Sequence, residues 1–155
     1  AAYAVEEGLG GLFVLDNGFV GAMNEKAREL GFTTMRFSNA TGLDISESEP
    51  GAVGSAEEIT RLFGYAVAHH SDIFAATREP TAYGVLNTNT AAARMTRLIA
   101  SKTGFTDLAG GNLAVAFDVG LGHPVVAVVL GSGIETRFTD VLKIIAATYE
   151  ALNRL

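Results

Sequence analysis

Cysteine is absent from this 155-residue chain, which excludes disulfides and thiolate chemistry. Long apolar runs are absent as well. The longest, residues 124–130, falls far short of the roughly 20 residues that cross a bilayer as a helix. No cationic stretch leads into an apolar one, so a secretory leader is not read in these residues. Positive charge is scarce: 11 lysines and arginines against 17 aspartates and glutamates leave a net charge of -6. That balance argues against nucleic acid as a partner, because phosphate backbones call for a basic footprint. What remains is an ordinary globular composition, 48% hydrophobic and 18% charged, with no charge run that reads as a tail. A chain of this size buries roughly 68–70% of its unfolded surface, so one domain over residues 1–155 is the default expectation.

Periodicity divides the chain. Residues 1–7 are helix-prone. Asp16 or Asn17 can cap a helix whose apolar positions Phe19, Val20, Met23, Ala27 and Leu30 fall three and four apart, on one face. Gly31 suits its left-handed end. Residues 32–54 read as irregular. Ser55-Ala56-Glu57-Glu58 predicts a capping box, with Ser55 holding a free N–H and Glu58 reaching back, ahead of the stripe Ile59, Leu62, Phe63, Ala66 and Val67. His69 and His70 are neighbours, about 100° apart on a helix, and cannot chelate one metal well. Ser71 can cap one further turn. Residues 78–97 are ambiguous.

From Leu98 the period changes to two. Residues 98–106, 112–119 and 124–130 read as strands joined by glycine-rich turns. Connectors this short favour an antiparallel meander. The run Val125–Val129 lacks any polar residue, as in a central strand covered on both faces. Thr136 or Thr139 opens a last helix, with Val141, Leu142, Ile145, Thr148, Tyr149 and Leu152 facing inward. The expected class is α+β, an antiparallel sheet packed by helices. Residues 1–97 form a mainly helical part, and 98–155 form the meander and the C-terminal helix. The sheet has at least one edge without a partner in this chain.

The stretch that carries chemistry is Ser101-Lys102-Thr103-Gly104-Phe105-Thr106-Asp107-Leu108-Ala109-Gly110-Gly111-Asn112-Leu113. Lys-Thr-Gly on a strand is one signature of the penicillin-recognising serine enzymes, and the longer string resembles the D-alanyl-D-alanine carboxypeptidases of the low-molecular-mass penicillin-binding class. Met23-Asn24-Glu25-Lys26-Ala27-Arg28-Glu29-Leu30-Gly31, followed by Phe37-Ser38-Asn39-Ala40-Thr41-Gly42-Leu43-Asp44, is similar to a helix and turn of the same family, with Ala40 where proline is usual. Asn87-Thr88-Asn89 and Val128-Val129-Leu130-Gly131 match as well. Asn39 and Asp44 read as structural members of that turn.

The resemblance implies a β-lactamase/transpeptidase-like fold, incomplete here because the N-terminal strands and the nucleophile helix are lacking. It implies acyl transfer on a peptidoglycan stem peptide ending in D-Ala-D-Ala, β-lactams as acylating agents of the full-length enzyme, no cofactor and no metal. It also implies a location outside the cytoplasmic membrane. By resemblance Lys102 and Phe105 are the catalytic positions, Phe105 through a backbone N–H in the oxyanion hole, where one donor lowers the barrier by on the order of 3–4 kcal/mol. Thr103, Gly104 and Arg137 are the substrate-binding positions. Thr103 offers a hydroxyl to the terminal carboxylate, Gly104 lets the substrate backbone lie close, and Arg137 offers a fork to a carboxylate.

The family's nucleophile is the serine of Ser-x-x-Lys. None of Ser38, Ser46, Ser48, Ser55, Ser71, Ser101 and Ser132 has lysine three residues on, and none has asparagine two residues on as in the second signature, Ser-x-Asn. The expected partner is therefore the missing N-terminal part of the same domain, and this chain is expected to be inactive alone. Two alternatives stay open: a non-catalytic peptide- or partner-binding module of the same fold, and a β-lactamase fragment.

Overall fold

The computed structural model describes residues 18–154. The helix expected at 1–7 and the caps Asp16 and Asn17 lie outside the described residues. The chain divides into two compact units, one running through Glu58 and taking in 106–108, the other comprising 59–105 and the residues from 109 on.

In the first unit, helix α1 spans Gly18–Glu29 and buries Ala27. Gly31 ends it at φ +74°, a conformation open to a residue without Cβ. Residues 32–54 are less irregular than expected. Strands β1 (Arg36–Phe37) and β2 (Ala52–Val53) pair antiparallel, Arg36 opposite Val53. Asn24 pins β1 from the helix, donating to Phe37 O at 2.7 Å and accepting from Phe37 N at 2.8 Å. Asn39 organises its turn as expected: it accepts from Thr41 N at 3.1 Å and Gly42 N at 2.7 Å, and donates to Leu43 O at 2.8 Å. Asp44 accepts from Leu108 N at 3.0 Å.

Helix α2, Ala56–His69, begins with half of the expected box. Glu58 N donates to Ser55 Oγ at 3.2 Å. The carboxylate does not reach back. It accepts from Thr33 N at 2.6 Å, Thr34 N at 3.0 Å and Thr34 Oγ1 at 2.6 Å, while Ser55 N donates to Thr34 Oγ1 at 3.1 Å. A tertiary loop with four donors, the Thr33 hydroxyl at 3.4 Å being the fourth, displaces a local contact with one. The Thr34 hydroxyl, helped by the Thr33 and Thr34 amides and opposed by burial, lowers Glu58 from its ordinary 4.5 to about 2.

In the second unit, β5 (Leu98–Thr106), β6 (Gly110–Asp118) and β7 (Pro124–Ser132) form one sheet in the order β5-β6-β7. β6 and β7 are antiparallel, Val115 opposite Ala127. The apolar run of β7 is covered on both faces but lies at the end of the strand order, not its centre. An all-apolar strand needs two covered faces, which does not require two paired edges. Helix α3, Thr136–Leu152, sets Phe138, Val141 and Ile145 against Leu113, Val115, Phe117 and Ala127. Phe63, with Ile59 and Val67, covers the other face at Ala100, Ala114 and Ala116. Phe117 is wholly buried, so its truncation to alanine would cost roughly 3–5 kcal/mol. At the far end of α3 the expected inward face fails: Leu152 is 41% exposed.

A 3-10 helix follows α2 over Ser71–Arg78, with His70 as its cap and no capping side-chain bond. Ser71 is thus its first residue and not a cap. The ambiguous stretch resolves into a hairpin of β3 (Thr81–Ala82) and β4 (Val85–Leu86) and a short 3-10 turn, Ala92–Arg94.

Candidate functional site

Strand β5 carries Lys102, Thr103, Gly104 and Phe105. It ends the strand order, so one of its edges has no strand partner among the described residues. The strand is anchored just before these residues. Ser101 is buried, with its N donating to Thr77 Oγ1 at 3.0 Å and its Oγ to Thr77 O at 3.2 Å. Past that anchor the side chains come out: Lys102 is exposed, Thr103 half-buried and Phe105 44% exposed.

Lys102, Thr103 and Gly104 border a cavity of about 460 Å³. Its remaining walls are mostly apolar, with Leu62, Phe63, Phe74, Val128 and Leu130 among them. The Lys102 ammonium donates to Thr103 O. Although the residue is exposed by area, nearby protein displaces enough water from its ammonium to lower the pKa, and the Arg137 charge lowers it further.

Arg137, in the first turn of α3, is 8% exposed, so it is not a solvated side chain. Its Nη1 donates to Gly104 O at 2.6 Å. Its guanidinium lies 4.8 Å from the Phe138 ring centre. The buried Nε has no hydrogen-bond partner among the described residues. The fork expected to hold a ligand carboxylate is therefore partly engaged with the carbonyl of the strand itself.

Gly104 is informative for what it does not need. Its φ lies outside the left-handed region, and an added Cβ would touch only Asn112 Cβ at 3.7 Å, an ordinary contact. The fold places no demand for glycine there. Gly111 on the neighbouring strand differs, since an added Cβ would collide with the Gly133 backbone.

Thr88 has no assigned role in the sequence reading beyond its place in Asn87-Thr88-Asn89. In the structure its Oγ1 lies 2.7 Å from Thr103 Oγ1. The pairing joins residues 15 apart from a loop and a strand, so spacing offers no trace of it. No group of three or more His, Cys, Asp or Glu that could hold a metal occurs among the described residues.

A match to the family described as D-alanyl-D-alanine carboxypeptidase covers residues 1–133. No curated protein matches the chain. A penicillin-binding protein from Listeria monocytogenes in its ampicillin-bound form is similar at 29% identity and a TM-score of 0.74, over 83% of this chain and 54% of that one. Its cefotaxime-bound form gives 30% and 0.72 over 83% and 53%. The D-alanyl-D-alanine carboxypeptidase from Mycobacterium tuberculosis gives 26% and 0.58 over 72% and 44%. The chain spans about half the length of these structures. The fold is thus a part of the β-lactamase/transpeptidase-like architecture. With the family pattern running from the first residue to just past β7, this chain belongs to the D-alanyl-D-alanine carboxypeptidase family.

Proposed function

We propose that this chain supplies the strand edge that receives the carboxylate end of a D-Ala-D-Ala peptide in a serine carboxypeptidase of the cell envelope, outside the cytoplasmic membrane. The observation that carries the reading is Gly104. A residue without a side chain, not required by its own neighbours, stands beside a lysine and a threonine hydroxyl on a strand edge that has no strand partner among the described residues. Such an edge accepts an extended peptide as an added strand, and a missing Cβ lets the backbones approach. Thr103 donates to the terminal carboxylate, Lys102 and Arg137 make the edge electropositive, and the N–H of Phe105 is one oxyanion donor.

In the complete reaction a serine oxygen attacks the scissile carbonyl carbon, the C–N bond breaks and D-alanine leaves with the transferred proton. Water then cleaves the ester. No serine in this sequence is followed three residues on by lysine, so the attacking group comes from outside these residues and this chain alone forms no acyl-enzyme. β-Lactams would acylate that same serine. The missing motif also favours a second reading, a binding module of this fold that holds peptide without turnover.

The test is acylation by a fluorescent penicillin in a protein that unites this chain with a Ser-x-x-Lys segment. Thr103→Val should slow labelling by roughly tenfold or more, the worth of one hydrogen bond to a charged group, with the melt unchanged. An unchanged rate would remove Thr103 from the site. This chain by itself should give no covalent band on a denaturing gel, and a band would refute the division of labour.

A further inference from the structure

We infer that Thr88 is a positioning residue that aims the Thr103 hydroxyl, a reading that rests on the carboxylate-binding role proposed for Thr103. The two Oγ1 atoms are 2.7 Å apart, a normal O–H···O distance. A hydroxyl carries one proton. If Thr103 spends its proton on a carboxylate, Thr88 must be the donor to Thr103. The bond then runs Thr88 to Thr103 to ligand, and each donor polarises the next.

The loop around Thr88 is built to keep this geometry. On one side Asn87 Nδ2 donates to both Thr77 O and Glu79 O at 2.9 Å, and its Oδ1 accepts from Asn89 N at 2.8 Å. On the other, Asn89 is 2% exposed, accepts from Ala91 N at 3.2 Å and donates to Met95 Sδ at 3.6 Å. Both neighbours are fixed by contacts to residues other than Thr103, while Thr88 itself is exposed. Thr77 belongs to both halves of the device, since its Oγ1 also accepts from Ser101 N at 3.0 Å. The loop that presents Thr88 and the strand that presents Thr103 thus share one anchor, which fixes their spacing.

Two measurements on the full-length protein test this. The first needs no ligand. Three-bond couplings should show one dominant χ1 rotamer for Thr103, averaging in Thr88→Val and restoration in Thr88→Ser. A Thr103 rotamer that is unaltered in Thr88→Val would overturn the inference. The second compares affinity for acetyl-D-alanyl-D-alanine with that for its C-terminal amide. Thr88→Val should cut the preference for the carboxylate roughly three- to tenfold, the range for a neutral hydrogen bond, with Thr88→Ser near wild type. In a double-mutant cycle, Thr88→Val added to Thr103→Val should change nothing more. A further loss would mean that Thr88 touches the ligand itself, and would overturn the positioning role. If Thr103→Val leaves the carboxylate preference intact while the rotamer result holds, the fault lies with the binding role of Thr103 and not with the geometry assigned to Thr88.

Discussion

Two polar clusters in this molecule spend their hydrogen-bonding capacity in opposite ways. Around Glu58 the account closes. The carboxylate is buried and takes three short bonds from Thr33 and Thr34, and the Thr34 hydroxyl in turn receives Ser55 N. Around Lys102 and Thr103 it stays open. The Lys102 ammonium, partly desolvated, has a lowered pKa, Thr103 and Thr88 face each other at the surface, and the buried Nε of Arg137 lacks a partner among the described residues. A closed cluster stabilises a loop and a helix start. An open one, bordering a cavity and next to a glycine that the fold does not require, is what the proposed carboxylate-binding edge calls for. Polarity alone does not separate the two kinds of site; unspent donors do.

The sharpest way to break this contrast is at Arg137, which belongs to the open cluster yet holds the strand. Arg137→Leu should lower stability by roughly 1.5–3 kcal/mol, as for loss of a bond from a charged donor, measured by urea unfolding. It should also raise the Lys102 pKa, since the Arg137 charge helps depress it, which NMR titration of Nζ can follow. A downward or absent shift would contradict the assigned cause.

Glu58→Gln sharpens the closed side. The native carboxylate titrates near 2 instead of 4.5, so its contribution is present above pH 4.5 and is lost as pH falls towards 2. The variant should be less stable at neutral pH and should lose that acid slope in thermal melts. An unchanged slope would assign it to other carboxylates.

The smallest expected change in stability is at Gly104. Gly104→Ala should leave the fold as stable or raise its stability by roughly 0.5–1 kcal/mol, the ordinary penalty of glycine in a strand, while weakening binding of the dipeptide. A large destabilisation would mean that glycine serves the fold after all.

Legibility in the sequence followed the range of the interactions. The limits of β5 and the span of α2 come from periodicity and caps, which are local, and the Lys-Thr-Gly string is contiguous. What periodicity does not carry is pairing between distant side chains. Glu58 abandoned its local box for Thr33 and Thr34, Asn24 pinned a strand 13 residues away, and Thr88 met Thr103 across a loop. The β7 run misled for a different reason: an apolar strand reports covered faces and says nothing about its edges. Arg137 sits at a helix start, where exposure is the ordinary expectation, and only the fold reveals its bond to Gly104.

Chemical-shift mapping with acetyl-D-alanyl-D-alanine and its C-terminal amide puts the open-edge account to its most direct test. The carboxylate form should move the amides of Lys102 through Phe105 together with the Thr88 and Arg137 signals, and the amide form should move them far less. Equal responses to the two forms, or shifts centred away from β5, would contradict the assignment of that edge as a receptor for a peptide's anionic end.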